Sequence, residues 1–139
     1  MSPQAHTRYL ENQVAGATPL ELVEILYHGA LDAVRNARRH LQQGDAQGRS
    51  REITRAQLIL GELAASVDRA KGGSLATDLL RLYAYMQARL AEAHVERRDP
   101  PLAEVAGLLA TLADGWRQCA ASLPAPAVLP DRPDRIAAG

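Results

Sequence analysis

The chain has 139 residues, of which 16 are basic and 16 acidic, so its formal net charge at neutral pH is zero. This balance provides no net field that would attract nucleic acid or an anionic membrane. The single cysteine, Cys119, excludes an internal disulfide framework. No apolar run reaches the ~18 residues of a membrane span, and no signal peptide follows Met1. We therefore expect a soluble, cytoplasmic, single-domain protein.

The first long helix is predicted from Thr18 to Gln43. Thr18 is a typical N-cap, Pro19 suits the first helical position, and Glu21 completes a capping box. Gly44 follows at a position typical of a helix end. Apolar residues recur at alternating steps of three and four, which places them on one face of the helix. These seam residues are Leu20, Val23, Tyr27, Ala30, Val34, Ala37 and Leu41.

A second helix with the same apolar spacing follows residues 44–50. Because this stretch contains glycine, the sequence does not fix the residue at which the helix begins. Its seam consists of Ile53, Ala56, Leu60, Leu63, Val67 and Ala70. We expect Gly72 and Gly73 to end it, with the positive charge of Lys71 near the negative end of the helix dipole.

The third helix is predicted to begin at Ser74 as N-cap and to close at Arg97 and Arg98. Its seam consists of Ala76, Leu79, Tyr83, Met86, Leu90 and Ala93. For the fourth helix, Asp99 is the predicted N-cap and Pro100 the first helical residue. Its seam consists of Leu102, Val105, Leu109, Leu112, Trp116, Cys119 and Leu123, so the Trp116 indole and the Cys119 thiol are expected in the core.

Four helices of this spacing predict an all-α fold, an antiparallel up-down four-helix bundle with neighbouring helices crossing at roughly 20°. We expect the bundle to occupy residues 18–123. Residues 1–17 contain few apolar groups and are predicted to form a mobile N-terminal segment. Residues 124–139 contain four prolines and are predicted to form a disordered tail.

Nothing in the chain predicts catalysis or a cofactor. Metal sites in helical bundles use Glu-x-x-His pairs, whereas Glu24 and His28 are four apart and residue 91, three before His94, is alanine. The Lys71-to-Ser74 stretch lacks the spacing of a phosphate-binding loop and follows a helix. We therefore predict that the protein is not an enzyme and binds no metal.

Several apolar residues fall outside the seams. They are Leu22, Ile25 and Leu26 on the first helix, Leu58 and Ile59 on the second, Leu75, Leu80, Leu82 and Tyr85 on the third, and Leu108 on the fourth. Some of them simply widen the core face. The third helix is apolar around most of its circumference, so part of its surface is expected to be covered by a partner.

Glycines inside the predicted helices allow two interpretations. Gly29, Gly61, Gly107 and Gly115 each cost about 1 kcal/mol relative to alanine within a helix. They either permit close approach of helices within the bundle or provide a flat surface on which a partner helix lies.

The order of several motifs resembles the flagellin-specific export chaperones, the FliS family. These motifs are Tyr9 with Asn12 and Val14, the block from Thr18 to Leu31, Leu41-x-x-Gly44-Asp45, Gly72-Gly73-x-Leu75-Ala76-x-Asp78-Leu79, Leu82-Tyr83-x-Tyr85-Met86, Glu104-Val105-x-Gly107-Leu108-Leu109, and Trp116-x-Gln118. Together they cover Tyr9 to about Gln118. This chain departs from many relatives at Asp78, at His94 and in the proline-rich tail.

The resemblance implies a helical bundle that holds the C-terminal segment of unassembled flagellin and blocks its polymerisation. It also implies delivery to the flagellar type III export apparatus, without ATP or metal. By analogy, Tyr9 and Val14 belong to a mobile segment that covers part of the binding surface. Combined with the apolar residues outside the seams, the predicted partner-binding set is Tyr9, Val14, Leu22, Ile25, Leu26, Ile59, Leu80, Leu82, Tyr83, Tyr85, Met86 and Leu108.

Two other classes of function remain open from the sequence. In the first, the protein is a structural or self-associating bundle whose surplus apolar surface closes a homodimer. In the second, an enzyme site lies in the bundle core, against which the missing carboxylate–histidine pattern argues. Under the chaperone interpretation, the free protein is expected to be a monomer or a weak dimer.

Overall fold

The computed structural model describes residues 18–122, with side chains through Cys119, and it contains four helices. They are α1 (Pro19–Gln42), α2 (Ala46–Ala65), α3 (Arg69–Glu96) and α4 (Asp99–Ser122). Residues 18–122 contain no β-strand. The predicted all-α class with four helices is therefore confirmed. The predicted mobile segment (1–17) and tail (124–139) lie outside the described residues, so the domain boundaries stay a prediction.

The start of α1 has the predicted capping box. The Thr18 N–H donates to Glu21 Oε1 at 3.0 Å, and the Glu21 N–H donates to Thr18 Oγ1 at 3.2 Å. At the other end, Gly44 has φ +74°, the left-handed conformation that glycine adopts without strain. This turn lets the Asp45 N–H donate to the carbonyl of His40 at 2.8 Å, which satisfies a carbonyl at the helix end.

The described residues divide into two compact units. The first contains residues 18–25 and 113–122, and the second is Leu26–Leu112. In the first unit, the Trp116 indole N–H donates to the Leu20 carbonyl at 3.2 Å. The indole is half-buried rather than enclosed in a core as predicted. An indole nitrogen requires a polar partner when it leaves water, and here the start of α1 provides one.

The second unit contains parts of all four helices and most of the apolar core. In it, α2 and α3 run in opposite directions, because Gln57 lies beside Gln87, while Ser50, earlier in α2, lies beside His94, later in α3. Only a few residues connect each pair of consecutive helices, which requires the antiparallel arrangement throughout. The buried core includes Tyr27, Val34, Ile53, Leu60, Leu63, Tyr83, Met86, Leu90, Leu102, Val105 and Leu109.

The predicted end of the second helix at Gly72 and Gly73 is wrong. The helix ends at Ala65, where the Ser66 hydroxyl donates to the Leu63 carbonyl at 2.7 Å and competes with continuation of the helix. Two predicted seam residues therefore lie outside the core: Val67 is half-buried and Ala70 is exposed.

The predicted N-cap of the third helix, Ser74, is also wrong. The cap is Asp68, whose carboxylate accepts the N–H groups of Ala70 and Lys71, each at 3.1 Å. A carboxylate at a helix start both satisfies unpaired N–H groups and complements the helix dipole. Gly73 nevertheless interrupts the helix: its φ of +54° and ψ of −129° are not helical and produce a kink inside α3.

The fourth helix follows the predicted seam only in its first half. Leu102, Val105 and Leu109 are buried, but Cys119 is exposed, so its predicted burial is wrong. An apolar periodicity buries a residue only where another element covers that face of the helix. Beyond Ala113, α4 belongs to the smaller unit, in which the only other described residues are 18–25.

Candidate functional site

The predicted partner-binding residues differ widely in exposure. Tyr9 and Val14 lie outside the described residues. Leu22 and Ile25 belong to the first unit and are half-buried. In the second unit, the half-buried members are Leu26, Ile59, Leu80, Leu82 and Leu108; Tyr85 is exposed, and Tyr83 and Met86 are buried.

Three of these residues lie at the junction of α3 and α4 in the second unit. Leu82 and Tyr85 are three residues apart and therefore share a face of α3. Tyr85 contacts Glu104 of α4, and Leu108 lies one helical turn beyond Glu104 on the same face of α4. Because α3 and α4 are antiparallel, the step from Glu104 to Leu108 along α4 runs in the same direction as the step from Tyr85 to Leu82 along α3. We call the set Leu82, Tyr85 and Leu108 the α3–α4 surface.

A hydrogen-bonded cluster fixes the polar edge of the α3–α4 surface. The Tyr85 hydroxyl donates to the Glu104 carboxylate at 2.8 Å, and Arg89 Nε donates to Glu104 Oε1 at 2.6 Å. These bonds stabilise the carboxylate and lower the pKa of Glu104, with the Tyr85 bond as the largest cause. The same bond raises the pKa of Tyr85. The ring of Tyr85, 43% exposed, is thereby held at the surface with its hydroxyl occupied.

Tyr83 and Met86 are buried in the core. The Tyr83 hydroxyl is hydrogen-bonded to that of Tyr27 on α1, and their ring centroids are 6.5 Å apart. Burial is the largest cause that raises the pKa of both tyrosines. The predicted contact of Tyr83 and Met86 with a partner stays a prediction.

The two interpretations of the helical glycines apply at different positions. A Cβ on Gly29 would lie 3.3 Å from Ile59 Cδ1, so this glycine permits close approach of α1 and α2. A Cβ on Gly107, the residue before Leu108, would meet no atom within 4 Å, and the same holds for Gly61 and Gly115. Packing within the described residues therefore explains Gly29 but not the other three.

The largest exposures of apolar side chains occur outside the predicted set. Val95 is 76% exposed and Leu58 is 68% exposed, and Leu75 is similarly open to solvent. Leu58 and Leu75 were recognisable in the sequence as apolar residues outside the seams. Val95 had no such signal, because a single valine near a helix end is common on protein surfaces.

The described residues also limit other kinds of site. Among residues 18–122, no group of three or more His, Cys, Asp or Glu side chains is placed to hold a metal ion. No helix within this range is long and apolar enough to cross a membrane.

Comparison with known proteins gives consistent results. The family model described as flagellar protein FliS matches residues 1–123. The flagellar secretion chaperone FliS of Salmonella typhimurium is 38% identical over 110 residues, covering 78% of this chain and 82% of that protein. Its counterpart from Bacillus subtilis is 31% identical over 134 residues, covering 96% and 93%. The flagellar secretion chaperone FliSB of Pseudomonas aeruginosa is 36% identical over 107 residues, covering 77% and 85%.

Proposed function

Because this chain belongs to the FliS family of flagellar proteins, we propose that it is a cytoplasmic chaperone for unassembled flagellin. It binds the C-terminal helical segment of flagellin in a hydrophobic groove, prevents premature polymerisation and assists flagellar type III export. Its relatives carry the name of secretion chaperones, so the proposed role is binding without catalysis and without a cofactor.

The observation that carries this proposal is the α3–α4 surface. Leu82 and Leu108 retain partial exposure, and the Tyr85 ring beside them is fixed by its bond to Glu104. An amphipathic helix binds by placing its apolar face against such a surface, with anchors at helical spacing. Gly107 leaves open space next to Leu108, which favours close approach of a partner backbone. Covering the apolar face of flagellin in this way removes the surface needed for assembly.

The N-terminal segment is the second part of the proposal. Residues 1–17 act as a displaceable cover in which Tyr9 and Val14 occupy the binding surface of the free chaperone. A tethered segment competes at high effective concentration, yet two or three apolar side chains bind weakly enough for flagellin to displace them. Hydrogen exchange tests this: amides 9–17 should be partly protected in the free protein and change protection when flagellin binds. Full exchange in both states would contradict the cover.

Calorimetry with a peptide of the flagellin C-terminal segment tests the main proposal. We expect a negative heat-capacity change, the mark of apolar burial, and little dependence on salt. Leu82→Ala and Leu108→Ala should each weaken binding about tenfold, because truncation of a central apolar anchor costs more than ~1 kcal/mol. Leu58→Ala is the matched control, since Leu58 is an exposed leucine on α2 outside the predicted set. Equal losses for all three variants, or none, would overturn the assignment.

The alternative is a structural or self-associating bundle whose surplus apolar surface forms a homodimer. The exposed Leu58 and Leu75 side chains favour it, since apolar residues at such exposure are common at interfaces between subunits. Sedimentation of the purified protein, with and without the flagellin peptide, distinguishes the two. A monomer that forms a one-to-one complex supports the chaperone. A stable dimer that the peptide does not alter supports the alternative.

A further inference from the structure

A second site lies at the other end of the Leu26–Leu112 unit, away from any predicted residue. An open cavity of about 520 Å³ is formed where the first turn of α2 meets the last turn of α3. The side chains of Arg49, Ser50, His94, Val95 and Arg97 line it. No acidic side chain is among the residues that line this cavity.

Arg49 is the unusual member of this group. It is only 6% exposed, and its buried Nε has no hydrogen-bond partner. The rest of its guanidinium forms no hydrogen bond or ion pair with a described residue. A buried nitrogen of a charged group is costly when it lacks a hydrogen-bond partner, and proteins normally pair such an atom. An arginine in this condition beside an open cavity therefore indicates that its partner is a ligand.

The adjacent carboxylate of Asp45 is already engaged elsewhere. As N-cap of α2 it accepts the Gly48 N–H at 2.9 Å, and its other oxygen lies 3.1 Å from His40 Nδ1. The Gly48 bond is the largest cause that lowers the pKa of Asp45. This carboxylate holds the α2 start and does not neutralise Arg49.

Other groups at the cavity are suited to an anion. The N–H groups of Ala46 and Gln47 precede the first bonds within α2 and donate to no described residue. Such N–H groups at a helix start attract negative charge. Arg97 adds a second guanidinium from the end of α3, and the Ser50 hydroxyl lies 3.5 Å from His94 Nδ1. Arginine binds carboxylates through two parallel hydrogen bonds.

We propose that this cavity binds a carboxylate of an acidic peptide segment from a partner protein. The cavity is open and about 520 Å³ in volume, so it has room for a carboxylate that belongs to a larger molecule. Val95, 76% exposed, provides apolar surface next to the two arginines. The matching ligand is therefore a glutamate or aspartate next to an aliphatic residue, with the carboxylate on Arg49 and the aliphatic side chain on Val95. This site is additional to the proposed flagellin-binding surface and does not depend on it.

Nuclear magnetic resonance of the full ¹⁵N-labelled chain tests the proposal directly. The probe is acetyl-Leu-Glu-Leu-Glu-Leu-amide, and the control is the same peptide with glutamine for glutamate. We expect saturable shifts of the Ala46 and Gln47 amides and of the Arg49 Nε–H signal with the acidic peptide only. Equal shifts with the glutamine peptide would overturn the proposal. A response to inorganic phosphate but not to the acidic peptide would also overturn it and would indicate a simple anion site.

Variants separate this site from general charge attraction. Arg49→Gln should weaken binding of the acidic peptide at least tenfold. Arg51→Gln removes the same charge two residues away, from an exposed side chain that does not line the cavity, and should change binding less than twofold. Equal losses in the two variants would contradict a defined site.

Arg97→Gly provides a variant that should not disturb the fold. Arg97 ends α3 with φ +57°, a conformation that glycine adopts more readily than arginine. We expect this variant to melt at the same or a higher temperature and to bind the acidic peptide several-fold more weakly. A stable Arg97→Gly protein with unchanged peptide affinity would remove Arg97 from the site. If Arg49→Gln also kept its affinity, the proposal would fail as a whole.

Discussion

Two of the places at which the Leu26–Leu112 unit buries polar atoms differ in how those atoms are paired. At one, the hydroxyls of Tyr27 and Tyr83 meet between α1 and α3 and satisfy each other. At the other, the Nε atom of Arg49 lies at the start of α2 without a hydrogen-bond partner. The side chains of Tyr27, Tyr83 and Arg49 are all almost inaccessible to solvent.

The difference separates a structural role from a binding role. A buried polar group that is hydrogen-bonded costs little and favours one arrangement of the helices. A buried N–H without a partner destabilises the free protein, and a bound ligand that accepts its hydrogen bond compensates for that cost. Removing polarity should therefore have opposite effects at the two places, which the following variants measure.

The largest effect is expected at the tyrosine pair. Tyr83→Phe leaves the Tyr27 hydroxyl buried without its partner and should lower the free energy of unfolding by about 1–3 kcal/mol. The double variant Tyr27→Phe/Tyr83→Phe removes both polar groups and should recover part of that loss. Urea denaturation of the original protein, Tyr27→Phe, Tyr83→Phe and the double variant gives the coupling between the two residues. If the double variant loses the sum of the two single losses, the hydroxyls do not act as a pair.

A smaller effect, of opposite sign, is expected at Arg49. Arg49→Met keeps a long apolar side chain and removes the unpaired charge, so it should raise the free energy of unfolding by about 1 kcal/mol. Arg51→Met is the control at an exposed position of the same helix and should stay within about 0.5 kcal/mol of the original protein. A marked loss of stability in Arg49→Met would show that the guanidinium stabilises the free protein, and the contrast with the tyrosines would disappear.

The sequence predicted the parts of the fold that depend on local chemistry and periodicity. The capping box of Thr18 and Glu21 was predicted because both halves of the motif are adjacent in the chain. The core positions Leu60, Tyr83 and Leu109 were predicted because the apolar spacing repeats without interruption. All three are buried.

The predictions from sequence were wrong where two candidate capping residues competed, or where burial depends on which helix face another element covers. Asp68 and Ser74 are both suitable N-caps, and the carboxylate is the stronger one because it also complements the helix dipole. Gly73 does break the helix geometry, but inside α3 rather than between two helices. Cys119 fits the apolar period, yet a period cannot indicate where the covering element stops.

The candidate sites differ in the same respect. Leu82, Tyr85 and Leu108 could be proposed from the sequence because they are apolar residues that the seams do not use. The cavity at Arg49 had no such signal, since an arginine near a helix start is ordinary in a chain with many arginines. Only the packing of α3 against α2 reveals that this one is buried and without a partner.

The smallest effect is expected at a third polar place, the solvent-exposed ion pair of Arg38 and Asp99. Arg38 donates two hydrogen bonds, at 2.8 and 2.9 Å, to the carboxylate of Asp99. Both side chains are more than a third exposed, so Asp99→Asn should cost less than about 1 kcal/mol at pH 7. The change in the free energy of unfolding for Asp99→Asn should lie between the loss expected for Tyr83→Phe and the gain expected for Arg49→Met.

The pH dependence identifies this contribution. The hydrogen bonds from Arg38 lower the pKa of Asp99 in the folded protein. Its stabilising effect is therefore fully present above the ordinary aspartate pKa of about 3.9 and is lost as the pH falls through the lowered value. The stability difference between the original protein and Asp99→Asn should shrink over that range. Asp78→Asn, at an exposed residue of α3 that forms no ion pair with a described residue, is the control and should change the stability by less than about 0.5 kcal/mol. Thermal unfolding at a series of pH values from 7 to 2 makes the comparison, and a difference for Asp99→Asn that stays constant with pH would contradict the ion pair.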